Sequence, residues 1–338
     1  MVQFIAGVLE QLDVALEHIS KGDVHNARFS LMMTDNALEL ALHRYAKDKL
    51  ASLRSWDRMW EKYPHKDAVS DAQGQNFDKK VKFAEIEGLI SKRDQVTIIG
   101  LHDFRNKLHH AGLQHEAVLP GLASFYLDVV CRIMEAYPLR SWAYGSGTKV
   151  PDRAKKYISI SERTGHIIPS GGDLARGCSD ICRRLAFDVR ALVDELADYM
   201  DQTIDMFDRC VQVAADGPYD NSGVSRDQAI VSAQIWTALF SDDGRKFIAS
   251  RGRSVEWNEM PDLVQWMEAN FPLKTRKDPV ASWTRRANRV RSGADPHAAL
   301  STYLNFMKET EDLREVMADA AGQVDARINE MIDQAREK

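Results

Sequence analysis

Apolar residues recur every three or four positions along most of this chain, which is the spacing of α-helices that bury one face. In residues 2–20 a single helical stripe contains Phe4, Ile5, Val8, Leu12, Ala15, Leu16 and Ile19. The same spacing predicts further helices over 24–52, 79–92, 95–111, 118–136, 179–214, 226–240 and 260–270, and more helix towards the C-terminus. Helices with one apolar face must pack on each other, so the pattern predicts an all-α fold.

A segment rich in glycine and proline divides the predicted helices into two groups. The length of 338 residues suits two domains. We expect a helical bundle over 1–138, a connection over 139–177 and a second helical region, acting as an accessory or sensor domain, over 178–338. Within the connection, the alternating residues 157–160, a turn at 162–165 and the segment 166–168 predict a small β-hairpin. Residues 54–78 are less regular and predict an insertion or long loop.

Composition and charge restrict the classes of function. The net charge is −5, so any contact with nucleic acid must come from a local basic patch. No run of 18 apolar residues and no basic leader occurs, which favours a cytoplasmic protein that does not bind membranes. Four cysteines in so long a chain argue against a disulfide scaffold. Cys178 and Cys182 have no second ligand pair nearby, so we expect no metal and no other cofactor.

The densest group of chemically useful side chains lies in residues 101–112. It contains His102, Arg105, Asn106, His109 and His110. Arginine binds phosphate groups through two parallel hydrogen bonds, and histidine accepts or gives a proton near neutral pH. Together these residue types suit metal-free RNA cleavage, in which the ribose 2′-OH attacks the adjacent phosphate.

Helical geometry places the two main candidate site residues, Arg105 and His110, on different sides of the helix. On a straight helix Arg105 and His110 are about 140° apart, too far to share one small site easily. Either the helix distorts near Gly112, or a second copy of the helix faces the first and completes the site. The apolar face of the same helix is predicted to contain Leu101, Phe104, Leu108 and Ala111.

Residues 105–110 resemble the Arg-Asn-x-x-x-His signature of the HEPN superfamily, and the resemblance extends over roughly residues 1–138. It includes the upstream helical segment 35–43 and the apolar helix after the motif. Members of this family are small helical bundles that usually dimerise with their motifs face to face. Many are metal-independent endoribonucleases in bacterial defence, toxin–antitoxin and abortive-infection systems. One subset is regulated by modification of a tyrosine two places after the motif histidine, where this chain has Gly112.

The resemblance implies roles for individual residues. Arg105 would bind the phosphate, His110 would transfer protons and Asn106 would assist. His109 and His102 are supporting candidates, and Glu39 on the preceding helix could orient the arginine or a histidine. The implied partners are RNA, a second copy of the chain, and an antitoxin or defence-system protein.

Two other interpretations remain open. The bundle could be a non-catalytic HEPN-like module that binds a nucleotide or a protein, or a helical scaffold in which the motif is accidental.

A basic patch in the second half is the other candidate site. Its arginines, with Trp283 among them, suit an RNA phosphate backbone or pairing with the acidic face of the helix around 194–208. The predicted RNA-binding residues are Arg285, Arg286, Arg289 and Arg291.

Overall fold

The computed structural model describes residues 2–55, 57–111, 116–139, 150–159, 170–219, 223–256 and 259–336, with the side chains of residues 57 and 109–111 left out. These residues form fifteen α-helices and no β-strand, which confirms the all-α prediction. The helices of the first half are α1 (Val2–Ser20), α2 (Val24–Arg54), α3 (Asp57–Lys62), α4 (Lys66–Asp71), α5 (Phe77–Ile86), α6 (Lys92–Ala111), α7 (Leu119–Glu135), α8 (Asp152–Lys155) and α9 (Asp173–Leu185). Those of the second half are α10 (Val189–Asp216), α11 (Arg226–Phe240), α12 (Asp242–Ser250), α13 (Met260–Asn270), α14 (Val280–Arg291) and α15 (Pro296–Arg336).

The chain forms two compact units whose limits differ from the predicted domain limits of 138 and 178. Unit 1 contains residues 1–196 and 293–301, and unit 2 contains 197–292 and 302–338. The segment 139–177 is not simply a connection between domains, because Ala154 of α8 and Ile158 in the following turn pack on α1. α9 packs on both α1 and α7 and so belongs to the first bundle.

The core of unit 1 is built from α1, α2, α7 and α9. α7 is its central helix, with Leu122, Phe125, Tyr126 and Val130 almost inaccessible to solvent. The segment Glu116–Glu135 is long and apolar enough to cross a membrane, but 72% of its apolar window is buried inside the unit. Burial of this extent is typical of an apolar helix in the core of a bundle.

Side chains at the helix starts explain where several helices begin. Asp23 caps α2 by accepting a hydrogen bond from the Asn26 amide at 2.9 Å. Ser225 caps α11 in the same way. At the start of α6, Ser91 and Asp94 form a reciprocal pair, in which the Ser91 hydroxyl accepts from the Asp94 amide and the Asp94 carboxylate accepts from the Ser91 amide.

Residues 54–78 are more regular than predicted, since they contain α3 and α4. The predicted hairpin is only partly covered by the described residues. Tyr157 and Ile158 form the turn after α8, not a strand, and 160–169 lie outside the described residues.

A buried carboxylate joins three helices of unit 1. Asp13 of α1 is 1% exposed and accepts hydrogen bonds from Arg153, Lys156, Tyr157 and Arg184. Burial alone would raise the pKa of this carboxyl, but these donors together lower it to about 2. Asp13 therefore fixes α8 and α9 against the N-terminal helix.

Unit 2 has two apolar clusters. One joins α11, α12 and α13 and includes Ile235, Leu239, Ile248, Leu263 and Met267. The other joins α10, α11 and α15 and includes Phe207, Val211, Ile230, Leu313 and Met317. Trp283 of α14 packs against this second cluster, so it is an anchor of the fold and not a free stacking platform for a base.

We predict that Asp13→Asn lowers the free energy of unfolding at pH 7 by about 2 kcal/mol, because it removes charge-assisted hydrogen bonds. The wild-type advantage should be full above pH 4 and should fall as the pH approaches 2, where Asp13 becomes protonated in the folded state. Urea unfolding of both proteins at several pH values measures this difference. Asp152→Asn, which alters an exposed carboxylate paired with Lys155, is the matched control. A wild-type advantage that persists unchanged at low pH would contradict the prediction.

Candidate functional site

The motif residues lie on α6, whose apolar side is buried in unit 1. Leu101, Phe104 and Leu108 are each less than 5% exposed, which confirms the predicted core-facing stripe. Ala111 belongs to the same helix, but its side chain lies outside the described residues. The packing of these apolar side chains fixes the rotation of α6 and thereby the direction of its polar side chains.

Asp35 of α2 lies at the centre of the site, in contact with side chains from two other helices. Its carboxylate is completely buried, forms hydrogen bonds with two side chains and makes an ion pair with a third, all on two neighbouring helices. The hydrogen-bond partners are the Tyr126 hydroxyl at 2.7 Å and His102 Nδ1 at 3.0 Å, and the ion-pair partner is Arg105 Nη2 at 3.2 Å. A buried carboxylate is stable only when it is paired and hydrogen-bonded, so Asp35 holds all three partners in place.

Arg105 has a second fixed contact. Its Nη1 donates to the Oδ1 of Asn106 at 2.7 Å, so the two adjacent motif residues are directly linked. Arg105 Nε is buried with no hydrogen-bond partner among the described residues, and 28% of the side chain remains exposed. The guanidinium is thus oriented from the inside, and its outer edge still faces solvent.

His102 is held on two sides. Its ring stacks on Phe77, with ring centres 4.0 Å apart and an angle of 13° between the planes. Because Nδ1 faces the Asp35 carboxylate, we assign the neutral ring's proton to Nδ1. Nε2 is then the atom left to accept a proton, which is the arrangement of a carboxylate-oriented general base.

Tyr126 of α7 is the third side chain that contacts Asp35. It is fully buried, and its pKa is raised well above the usual value, mainly by burial and then by the Asp35 charge. The phenol therefore stays protonated and acts as a hydrogen-bond donor to Asp35.

Glu39 lies one helical turn after Asp35, but its contact is a different one from that predicted. It accepts a hydrogen bond at 2.9 Å from Lys80 of α5, whose side chain is 3% exposed. The carboxylate that orients the motif arginine is Asp35. His43 lies one turn further along α2, and its pKa is lowered by burial and then by Lys47 and Lys80. Its Nδ1 is buried without a partner in the described part of the chain.

Asp35, Tyr126 and Lys80 were not predicted as site residues. The signal for Asp35 was its position on α2, where it follows the inward residues Leu31 and Thr34 and precedes Leu38. A carboxylate on the face that carries a helix's apolar stripe is a candidate for buried pairing with a cation. No comparable signal marks Tyr126, because a tyrosine in an apolar helix is ordinary.

His109 and His110 can be placed only by their backbone. Both belong to α6, which runs as a continuous helix from Lys92 to Ala111. Their side chains, and Gly112, lie outside the described residues. Within the described residues, no group of three histidine, cysteine, aspartate or glutamate side chains is arranged to hold a metal ion.

The predicted basic patch of unit 2 divides into two pairs of arginines. Arg286 bonds Glu309 at 2.6 Å, and Arg291 bonds Asp201 at 2.8 Å and also Asp198. These two arginines tie α14 to neighbouring helices. Arg285 and Arg289 project into solvent one turn apart, and neither forms an ion pair with any described residue.

Comparisons of the chain with models of protein families, with curated proteins and with solved structures return no match. The interpretation of the site therefore depends on its own geometry.

We predict that Asp35→Asn destabilises the protein by about 3 kcal/mol, because it leaves Arg105 partly buried without its counter-charge. Asp48→Asn on the same helix removes a carboxylate that pairs with Arg44 near the surface, and it should cost less than about 1 kcal/mol. Chemical denaturation of the two variants and the wild type measures both effects. Equal stability of the two variants would show that Asp35 does not organise the site.

Proposed function

We propose that this chain is a metal-independent endoribonuclease of HEPN type that acts in the cytoplasm in bacterial defence or toxin–antitoxin systems. The observation that carries the proposal is the pair formed by Arg105 and His102 on Asp35. One buried carboxylate contacts both a guanidinium and an imidazole, and each of these side chains is partly exposed. A phosphate-binding cation beside a proton-transfer group is what cleavage by a ribose 2′-OH requires.

The reaction needs no covalent enzyme intermediate. A histidine takes the proton from the 2′-OH, and the 2′ oxygen attacks the adjacent phosphorus. The bond from phosphorus to the 5′ oxygen breaks, and that oxygen receives a proton from a second acid. The products are a 2′,3′-cyclic phosphate and a 5′-OH end. Arg105 stabilises the negative charge that builds up on the phosphate oxygens.

The resemblance assigns proton transfer to His110, and the geometry adds His102 as an oriented second imidazole. Asn106 supports the arginine through its hydrogen bond. His109 keeps the supporting role that the sequence suggested.

The shape of α6 favours a site shared by two copies of the chain. The backbone of α6 is helical through Ala111, and an ideal helix separates positions five residues apart by about 140°. The alternative, a distortion near Gly112, falls outside the described residues. A homodimer would bring the His110 of one copy to the Arg105 of the other.

Unit 2 would supply RNA affinity through Arg285 and Arg289, which have no ion pairs among the described residues. Arg286 and Arg291 are committed to acidic partners and contribute mainly to the fold. An active ribonuclease is toxic to its own cell, so we also propose control by an antitoxin or a defence trigger.

The alternative function is a non-catalytic HEPN-like module that binds a nucleotide or a protein. The observation in its favour is that Arg105 already has two internal partners, Asp35 and Asn106, and could serve the fold alone.

The first test is RNA cleavage in EDTA by the wild type and by Arg105→Ala, Arg105→Lys, His110→Ala and His102→Gln. We expect cyclic-phosphate ends from the wild type and a loss of about 100-fold or more in Arg105→Ala and His110→Ala. Arg105→Lys keeps the charge beside Asp35 but loses the fork geometry, so intermediate activity is expected. Lys107→Ala, an exposed change on the same helix, is the matched control.

Two results would count against the ribonuclease. Equal cleavage by all the variants would show that the assigned residues are not catalytic. Failure of the folded wild type to cleave tRNA, rRNA and mRNA would favour the binding module.

We further predict that Arg285→Ala/Arg289→Ala weakens RNA binding and reduces the slope of log affinity against log salt by about 1.5, through the loss of two phosphate contacts. The matched control is Arg245→Ala/Lys246→Ala, two exposed basic residues on α12 of the same unit. Fluorescence anisotropy with labelled RNA over a salt series measures both slopes. An unchanged slope in the first double variant would remove α14 from the RNA-binding surface.

A further inference from the structure

A cleft of about 610 Å³ lies in unit 1, away from Arg105. Its walls come from the start of α6, the C-terminal half of α7, the turn between α9 and α10, and residues 294–297 at the start of α15. Arg93 at this end of α6 is twelve residues before Arg105, which is about 18 Å along a helix. The volume is typical of small-molecule sites, which range over about 300–1,000 Å³.

Two aromatic rings form the apolar part of the cleft. Phe125 and Phe187 are stacked, with ring centres 5.4 Å apart and 21° between their planes. Phe125 is buried in the core, and Phe187 is only half-buried. The preceding residue, Ala186, has a φ of 47°, a left-handed conformation that costs a non-glycine residue about 1 kcal/mol. This turn places Phe187 in the wall of the cleft, where its ring can stack on a planar ligand.

Three acid–base pairs surround these rings. Arg132 and Asp128 are tightly bonded, at 2.7 and 3.1 Å. The other two pairs are loose, with Arg93 3.9 Å from Asp295 and His297 Nε2 4.0 Å from Asp94. Both loose distances exceed a hydrogen bond. Asp94 also accepts from Ser91 through one oxygen, and Asp295 accepts from the His297 amide through one oxygen. A carboxylate has about four acceptor positions, so both retain capacity for a ligand.

The other ring nitrogen of His297 is already engaged. Its Nδ1 lies 2.7 Å from the Thr97 hydroxyl, which fixes the ring. The pKa of His297 is lowered, chiefly by burial and then by Arg93, so the imidazole is neutral near pH 7. With three aspartates and two arginines in the lining, the cleft has a net charge of −1.

These features together favour one class of ligand. Carboxylates can only accept hydrogen bonds, so an excess of them selects a ligand that presents N–H donors. The half-buried Phe187 ring in the cleft wall favours a ligand with a planar ring. We propose that this cleft binds a nucleoside or nucleotide whose base carries an exocyclic amino group, with the base stacked on Phe187 and its amino group facing Asp94 or Asp295. Arg93, which is 63% exposed, would reach a phosphate on the ligand.

The test is isothermal titration of the full chain with ligand pairs that differ only in the amino group. Adenosine should bind about tenfold or more tightly than purine riboside, and cytidine than the riboside of pyrimidin-2-one, because a hydrogen in place of the amino group gives the carboxylate no hydrogen bond. Phe187→Leu keeps an apolar side chain but removes the ring, so adenosine binding should fall about tenfold. Asp295→Asn should reduce the preference for adenosine over purine riboside.

AMP distinguishes the two forms of the ligand. Tighter binding of AMP than adenosine, lost in Arg93→Ala, would identify a nucleotide. Equal binding of the two would identify a nucleoside. Both results support the base site.

Arg105→Ala separates this cleft from the proposed nuclease site and should bind adenosine like the wild type. The proposal would be overturned by absence of binding of adenosine, cytidine and AMP at millimolar concentration, or by equal binding of adenosine and purine riboside. Loss of binding in Arg105→Ala but not in Phe187→Leu would also overturn it.

Discussion

The buried Asp35 carboxylate is the interaction on which the arrangement of the candidate site depends. A charge in a helical core is tolerated only when neighbouring groups supply hydrogen bonds and opposite charge. Asp35 obtains them from α6 and α7, and the same bonds decide where Arg105 and His102 point. Stability and chemistry are therefore coupled in one residue of α2, a helix that carries none of the motif residues.

Unit 1 uses this principle twice. Asp13 is as buried as Asp35 and is also surrounded by donors, but its partners come from α8 and α9. The cations around Asp13 are matched by Glu17 and Asp180, so this cluster is neutral and serves the packing of helices. At Asp35 the paired arginine and histidine both lie on α6, the helix that carries the motif, which is why the second cluster and not the first is the candidate site.

Much of the fold was accessible from the sequence, because helical periodicity is a local signal. The stripe of Leu101, Phe104 and Leu108 and the caps Asp23 and Ser225 follow from spacing and residue type alone. The limits of the two units could not be predicted in this way, because they depend on whether α8 and α9 pack on α1. No local pattern records that Asp13 will bond residues 140 to 171 positions away. The ion pairs of Arg286 and Arg291 could not be predicted for the same reason, because their acidic partners lie on other helices.

Unit 1 is discontinuous in sequence, and this has a consequence for how the protein is made. Its last piece, residues 293–301, is separated from the rest by 197–292, which belong to unit 2. A ribosome that has synthesised the first 196 residues has not yet supplied His297, the partner of Thr97. The bundle can collapse during translation, but that side of it stays open until about a hundred further residues have emerged. A fragment ending at Leu196 would reproduce this unfinished state. The first unit is therefore better isolated by circular permutation, or by deletion of the inserted residues 197–292, than by truncation at Leu196.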